Sequence, residues 1–204
     1  MEAVTIIEHS IYFLALLNPA SKILFLTGYT PALSFKELFE MSWKSSLAAL
    51  AMLLCFVFIG KFVLNVVFRV DIYSLKIVGG LVLFFIGWTA IRKGMFFQTD
   101  EHKVHESLSE VSIVPLAAPL IAGPGTITAS ISFAAEFGIP TCLSALGIAL
   151  LLNFVLMLFS VEIGRLMKFL CMTGPLIRIT GLIVATVSMQ MMLSGVGEWL
   201  KSMP

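Results

Sequence analysis

Apolar residues run through this chain in blocks too long for strands and too poor in charge for surface helices. Val111–Ala135 and Phe137–Val161 each cover 25 positions without Asp, Glu, Lys or Arg, and Ile179–Gly197 covers 19. A helix crossing a bilayer needs about 20 apolar residues. The pattern therefore predicts six spans, at about 8–30, 43–66, 73–94, 111–134, 140–164 and 177–199. Pro31, Pro140 and Pro175 mark ends or starts between them. The acidic and histidine-bearing stretch that ends at Glu110 reads as a polar cytoplasmic linker over 95–110, dividing a repeat of three spans (1–94) from a second (111–204).

Two of the apolar blocks are interrupted in matching places. The first carries Asn18-Pro19-Ala20-Ser21, the second Gly123-Pro124-Gly125-Thr126. Lipid does not tolerate backbone donors without partners, so a mid-span break survives where it lines a cavity or binds something. A pair of such breaks in corresponding halves points to a transport site. The halves match elsewhere too. Pro19 pairs with Pro124 at an offset of 105, Gly60-Lys61 with Gly164-Arg165 at 104, and Lys76-Ile77-Val78-Gly79 with Arg178-Ile179-Thr180-Gly181 at 102. Three spans per copy would invert the second copy in the membrane, as in many secondary transporters.

Composition agrees with the bilayer. Hydrophobic residues make up 59% of the 204 positions, charged residues 12%, and mean hydropathy is +1.02. Soluble domains carry about 25% charged residues. A net charge of +1 excludes a strongly basic nucleic-acid binder. Met1-Glu2 opens without a basic segment, so the start reads as a mature helix and not as a cleaved signal. Cys55, Cys142 and Cys171 lie in or beside apolar runs and read as packing residues. In a six-span chain both termini share one side. That side holds Lys61, Arg69, Lys76 and Lys201, against eight basic residues on the other, so the termini are expected outside.

Proline suits the first position of a helix and Asn or Gly the cap before it. Asn18 and Gly123 thus read as caps of half-helices starting at Pro19 and Pro124. The amides of Ala20, Ser21, Gly125 and Thr126 would be free donors at a positive dipole end, suited to a carboxylate. Gly123 and Gly125 would let a ligand approach the backbone. Ordinary proline kinks are the plainer reading. Thr126 and Ser130 share one face of the second half-helix, Thr128 and Ser132 another. Ligand binding and interhelical hydrogen bonding both fit them. Lys22 would either meet a carboxylate or snorkel to an interface, although a cation near a helix N-terminus opposes the dipole. Glu162 reads as the ion-pair partner of Arg165. Asn153 and Gln190 read as packing contacts, and Gly79, Gly80 and Gly87 as points of close helix contact. His102 and His105 lie in the polar linker, and no metal or cofactor is expected. The chain has no Walker loop, H-E-x-x-H or G-x-S-x-G.

These residues resemble the MarC family of integral membrane proteins, also classed as six-helix neutral amino acid transporters. Asn18-Pro19 matches its first-helix motif, and Lys76-Ile77-Val78-Gly79-Gly80 its third. Pro115-Leu116-Ala117-Ala118-Pro119-Leu120-Ile121-Ala122-Gly123-Pro124-Gly125-Thr126-Ile127 matches its fourth. Gln190 and Gly195 match its last. Where many members have G-N-x-P, this chain has Ser21-Lys22-Ile23-Leu24, which puts a cation beside the expected site. The resemblance implies six spans and transport of small neutral amino acids.

The resulting expectation is an all-α membrane protein of six transmembrane helices. They form two inverted three-helix repeats, with the first and fourth helices broken at Pro. Function is expected to be secondary transport of Gly, Ala, Ser or Thr across the inner membrane, driven by a proton or sodium gradient. The partners are the substrate and the bilayer, with a homo-oligomer compatible and no nucleic acid. The substrate residues are Asn18, Pro19, Ala20, Ser21, Lys22, Gly123, Pro124, Gly125, Thr126, Thr128 and Ser130. The alternatives are a non-transporting scaffold or stress-response component, an intramembrane enzyme using Lys22 and Glu162, and a channel.

Overall fold

A computed structural model of the chain describes residues 2–27, 33–94, 121–170 and 172–203, and within these the regular structure is helical, with no strand. The polar linker with His102 and His105, the first ten residues of the fourth expected span, and Cys171 lie outside the described residues.

The first apolar block forms α1 (Glu2–Leu17) and α2 (Pro19–Thr27), separated by Asn18. The next helix, α3 (Phe35–Phe62), starts eight residues before the expected span. Hydropathy missed its start because a capping box sets it: the Ser34 hydroxyl accepts the Glu37 amide, and the Glu37 carboxylate accepts the Ser34 amide at 2.8 Å. α3 then widens into a π-helical turn, Val63–Phe68, ended by Arg69 in the left-handed region at φ 53°. α4 (Ile72–Lys93) matches its expectation and stops at Gly94, whose φ of 67° suits glycine. α5 (Pro124–Phe137) is the described part of the fourth span. The fifth span is not continuous. α6 (Ile139–Leu158) stops at Phe159 (φ −89°, ψ 9°), and α7 (Ser160–Phe169) follows. α8 (Thr173–Ser202) has 30 residues, about 45 Å of helix, which exceeds the hydrocarbon thickness of about 30 Å.

Five stretches among the described residues are long and apolar enough to cross a membrane: Val4–Thr27, Phe35–Gly60, Ile72–Lys93, Ile139–Leu158 and Thr173–Ser202. Large apolar side chains point outward from all of them, among them Ile11, Phe58, Phe85, Leu151 and Leu182. A water-facing surface does not carry such a belt. The chain is a multi-pass membrane protein.

Inside, α6 packs on α1 and α3 around Phe13, Leu17, Met41, Leu53 and Leu146. The most extensive helix pair is α4 with α8. Small residues make it so: a Cβ on Gly87 would lie 2.7 Å from the Ala185 nitrogen and the Gly181 oxygen, and one on Gly80 2.8 Å from the Ser188 oxygen. The order of these contacts makes the pair antiparallel. Two further glycines make equivalent contacts. A Cβ on Gly60 would meet the Ile131 side chain at 2.7 Å, and one on Gly164 would meet Thr27 at 2.2 Å. The offset is 104 in both cases, from 60 to 164 and from 27 to 131.

Candidate functional site

The first break is a single residue wide. Proline disfavours the helical conformation in the residue before it, and Asn18 takes the left-handed region at φ 50°, which Asn tolerates better than most residues. Its amide still closes α1 on the Leu14 carbonyl at 3.0 Å. Its own carbonyl turns back over α2 and accepts the Ser21 amide (3.1 Å), the Ser21 hydroxyl (2.8 Å) and the Lys22 ammonium (3.5 Å). The Ser21 amide is therefore not free, contrary to expectation. Among the amides expected at this end, Ala20 alone precedes the first bond of the ladder.

Lys22 has no solvent exposure. Sequence position alone set it at an unfavourable dipole end. The side chain instead reaches back to the Asn18 carbonyl. An ammonium in a dry interior is costly unless paired, and among the described residues its recorded hydrogen bond is this one long contact.

The second break follows the expected form more closely. Gly123 is extended (φ −75°, ψ 168°), Pro124 takes the first position, and the ladder begins with the Ile127 amide on the Gly123 carbonyl at 2.9 Å. The amides of Gly125 and Thr126 precede it. Gly125, however, does not hold the backbone open for a ligand. A Cβ there would lie 2.1 Å from Leu83 Cδ1, so this glycine admits α4. Thr128 likewise seats on Gly79 of α4, with its Oγ1 2.4 Å from where a Cβ would stand. The Ser130 hydroxyl donates to the Thr126 carbonyl at 2.7 Å, within its own helix. Of the polar face, Thr128 is packing and Ser130 is back-bonded. α2 packs on α6, α7 and α8, α5 on α1, α3, α4 and α6, and the two half-helices do not lie along one another.

An open cavity of about 370 Å³ lies between α1, α4, α5 and α8. It occupies the end of the bundle where α1 starts and α8 finishes. Tyr12, six residues before Asn18, and Ala129, five after Pro124, lie on its wall, so it extends toward the breaks without reaching them. None of the expected substrate residues lines it. Its charged groups are Glu8, Lys76 and Glu136. Lys76, with a side chain 9% exposed, pairs with Glu198 and, at 3.5 Å, with Glu136. Gly195 allows this: a Cβ there would stand 3.1 Å from Lys76 Cβ, so α8 comes close enough to bring Glu198 in. His9 packs at a tilt against Phe133 (centroids 3.9 Å, 45° between planes) and Phe137 (4.9 Å, 51°) and donates from Nδ1 to the Thr5 carbonyl at 2.6 Å. Gln190, expected as packing, also lines the cavity.

Lys76, grouped by sequence with the charges on the termini side, is part of the cavity. Its signal was its place just inside a span, with Glu198 just inside the antiparallel one. On the opposite side of the breaks the polar groups are closed in. The side-chain oxygens of Ser42, Ser46, Asn153 and Ser160 are buried without a hydrogen-bond partner among the described residues. Such groups are rare in folded proteins and are usually satisfied by water or an ion.

Residues 3–200 match the MarC family integral membrane proteins. Relatives include a UPF0056 membrane protein of Pyrococcus horikoshii, 30% identical over 94% of this chain and 93% of its own length. The UPF0056 membrane protein YvbG of Bacillus subtilis is 30% identical over 97% and 95%. The UPF0056 inner membrane protein MarC of Salmonella paratyphi B is 30% identical over 61% and 59%. No solved structure matches.

Proposed function

The chain belongs to the MarC family of integral membrane proteins, and from that premise we propose that it is a secondary transporter of small neutral amino acids. The observation that carries this reading is the pair of mid-span helix breaks at Asn18-Pro19 and Gly123-Pro124, with Lys22 buried at the first. The substrate carboxylate is held by Lys22 and by the leading amides of α5, a charge-assisted arrangement that only an anionic group satisfies.

Two inverted repeats of three spans underlie the mechanism. The equal offsets of the Gly60–Ile131 and Gly164–Thr27 contacts support this. So do the matching helix pairs, α3 on α5 and α7 on α2, that carry them. The conformation described is open at the termini end and closed at the other. The cavity supports the first half of that statement, and the unpaired oxygens of Ser42, Ser46, Asn153 and Ser160 support the second, as a polar lining that water reaches when the other side opens. Rocking of one repeat against the other exchanges the two states. The protein resides in the inner membrane with both termini outside, and a proton or sodium gradient drives it.

Uptake of labelled alanine into proteoliposomes tests the proposal. Saturable uptake is expected, strongly reduced by Pro124→Ala and by Lys22→Met. Absence of saturable uptake of any amino acid under either gradient refutes it. A non-transporting scaffold would instead show these substitutions altering stability alone.

A further inference from the structure

The cavity at the termini end carries its own chemistry, distinct from that of the breaks. Resting on the transport reading above, we propose that it is a zwitterion-binding station, which takes an α-amino acid by both its charged groups before the substrate reaches the breaks. Its volume of about 370 Å³ falls in the range of small-molecule sites, about 300–1,000 Å³.

The charges are arranged for exchange. Lys76 is pinned by Glu198 from α8 and carries a second, longer contact at 3.5 Å to Glu136 of α5, whose side chain is 55% exposed. Glu136 is the partner that can be displaced. A substrate carboxylate takes its place on Lys76, and the released Glu136 accepts the substrate ammonium, with Glu8 on the same wall. Lys76 and Glu136 each keep a partner of opposite charge through the swap, which is what a partly dry site requires. His9 adds a ring nitrogen, Nε2, beyond the Nδ1 that is committed to the Thr5 carbonyl. The rings of His9, Phe133 and Phe137, with centroids 3.9 to 4.9 Å apart, line one side of the cavity and suit a small apolar side chain. An acid without the ammonium strands Glu136, and an amine without the carboxylate leaves the Lys76–Glu136 pair in its way.

Calorimetric titration of the full-length protein in lipid nanodiscs, with alanine, propionate and ethylamine as probes, tests this. Alanine binds, and the other two bind at least tenfold more weakly. Glu136→Gln and Lys76→Gln each weaken alanine about tenfold or more, the scale of one charge-assisted hydrogen bond. If Lys76→Gln fails to fold by circular dichroism, Glu136→Gln, at a half-exposed position, still decides. Alanine binding unchanged in Glu136→Gln but lost in Lys22→Met overturns the station and leaves transport standing. Equal binding of ethylamine and alanine overturns the zwitterion assignment. A wild-type protein that neither binds nor moves any amino acid removes both readings.

Discussion

Replacing Gly87 with alanine adds one methyl group at the closest approach of α4 and α8. The new Cβ would stand 2.7 Å from the Ala185 nitrogen and the Gly181 oxygen, where ordinary contact begins at 3.4 Å. Both obstacles are backbone, so no side-chain rotation relieves them. The helices must part by the difference, roughly 0.7 Å, and a gap of that size forfeits about a quarter to a half of the dispersion attraction of each contact it opens. Between membrane helices this packing is the main source of attraction, since lipid tails are as apolar as the side chains. Overpacking of this kind costs about 1–3 kcal/mol. Gly197, on α8 itself, is the internal control: a Cβ there meets nothing within 4 Å. Its replacement by alanine should be neutral or stabilise the helix by up to about 1 kcal/mol. Unfolding by sodium dodecyl sulfate from mixed micelles, followed by tryptophan fluorescence, reads both variants, since Trp88 lies on α4 and Trp199 on α8. Gly87→Ala as stable as Gly197→Ala would refute the argument that backbone contact at Gly87 holds the pair together.

Lys22→Met removes a buried charge while keeping its volume, so stability in the same assay should rise by about 1–4 kcal/mol while alanine uptake is lost; a loss of stability would mean that the ammonium is fully paired. Asn18→Ala forces a Cβ-bearing residue without a polar side chain into the left-handed region and should cost about 1–2 kcal/mol, whereas Asn18→Gly should cost less, and equal losses would deny the conformational cause. Gly60→Ala and Gly164→Ala should destabilise the protein by similar amounts, about 1–3 kcal/mol each, because their neighbours are equivalent side chains in the two halves. A large effect from one and none from the other would count against the repeat.

Much of this molecule was legible in the chain itself. Hydropathy shows where the chain is apolar enough to cross a bilayer, because a span demands about 20 apolar residues whatever they touch, but not the start of α3 after Ser34 or the stop of α6 at Phe159. Pro19 and Pro124 determine where α2 and α5 begin, because proline lacks the donor that a helix interior needs. The glycines of α4 announced a close neighbour, because only a missing side chain lets backbones meet.

What each of these features faces was decided by tertiary structure. Gly125 could have bared its backbone to a ligand or to a helix, and the position of Leu83 made it a helix. Ser21 could have offered its amide, and the left-handed turn of Asn18 brought a carbonyl back to take it. Lys22 could have snorkelled to an interface, and the turn at Asn18 brought a carbonyl within its reach inside the protein. Lys76, Glu136 and Glu198 stand 60 and 62 positions apart along the chain, on three different helices. No periodicity within one helix connects them. Lys76 and Glu198 meet because Gly195 lets α8 close on α4, a pairwise fit that exists only once the helices are packed.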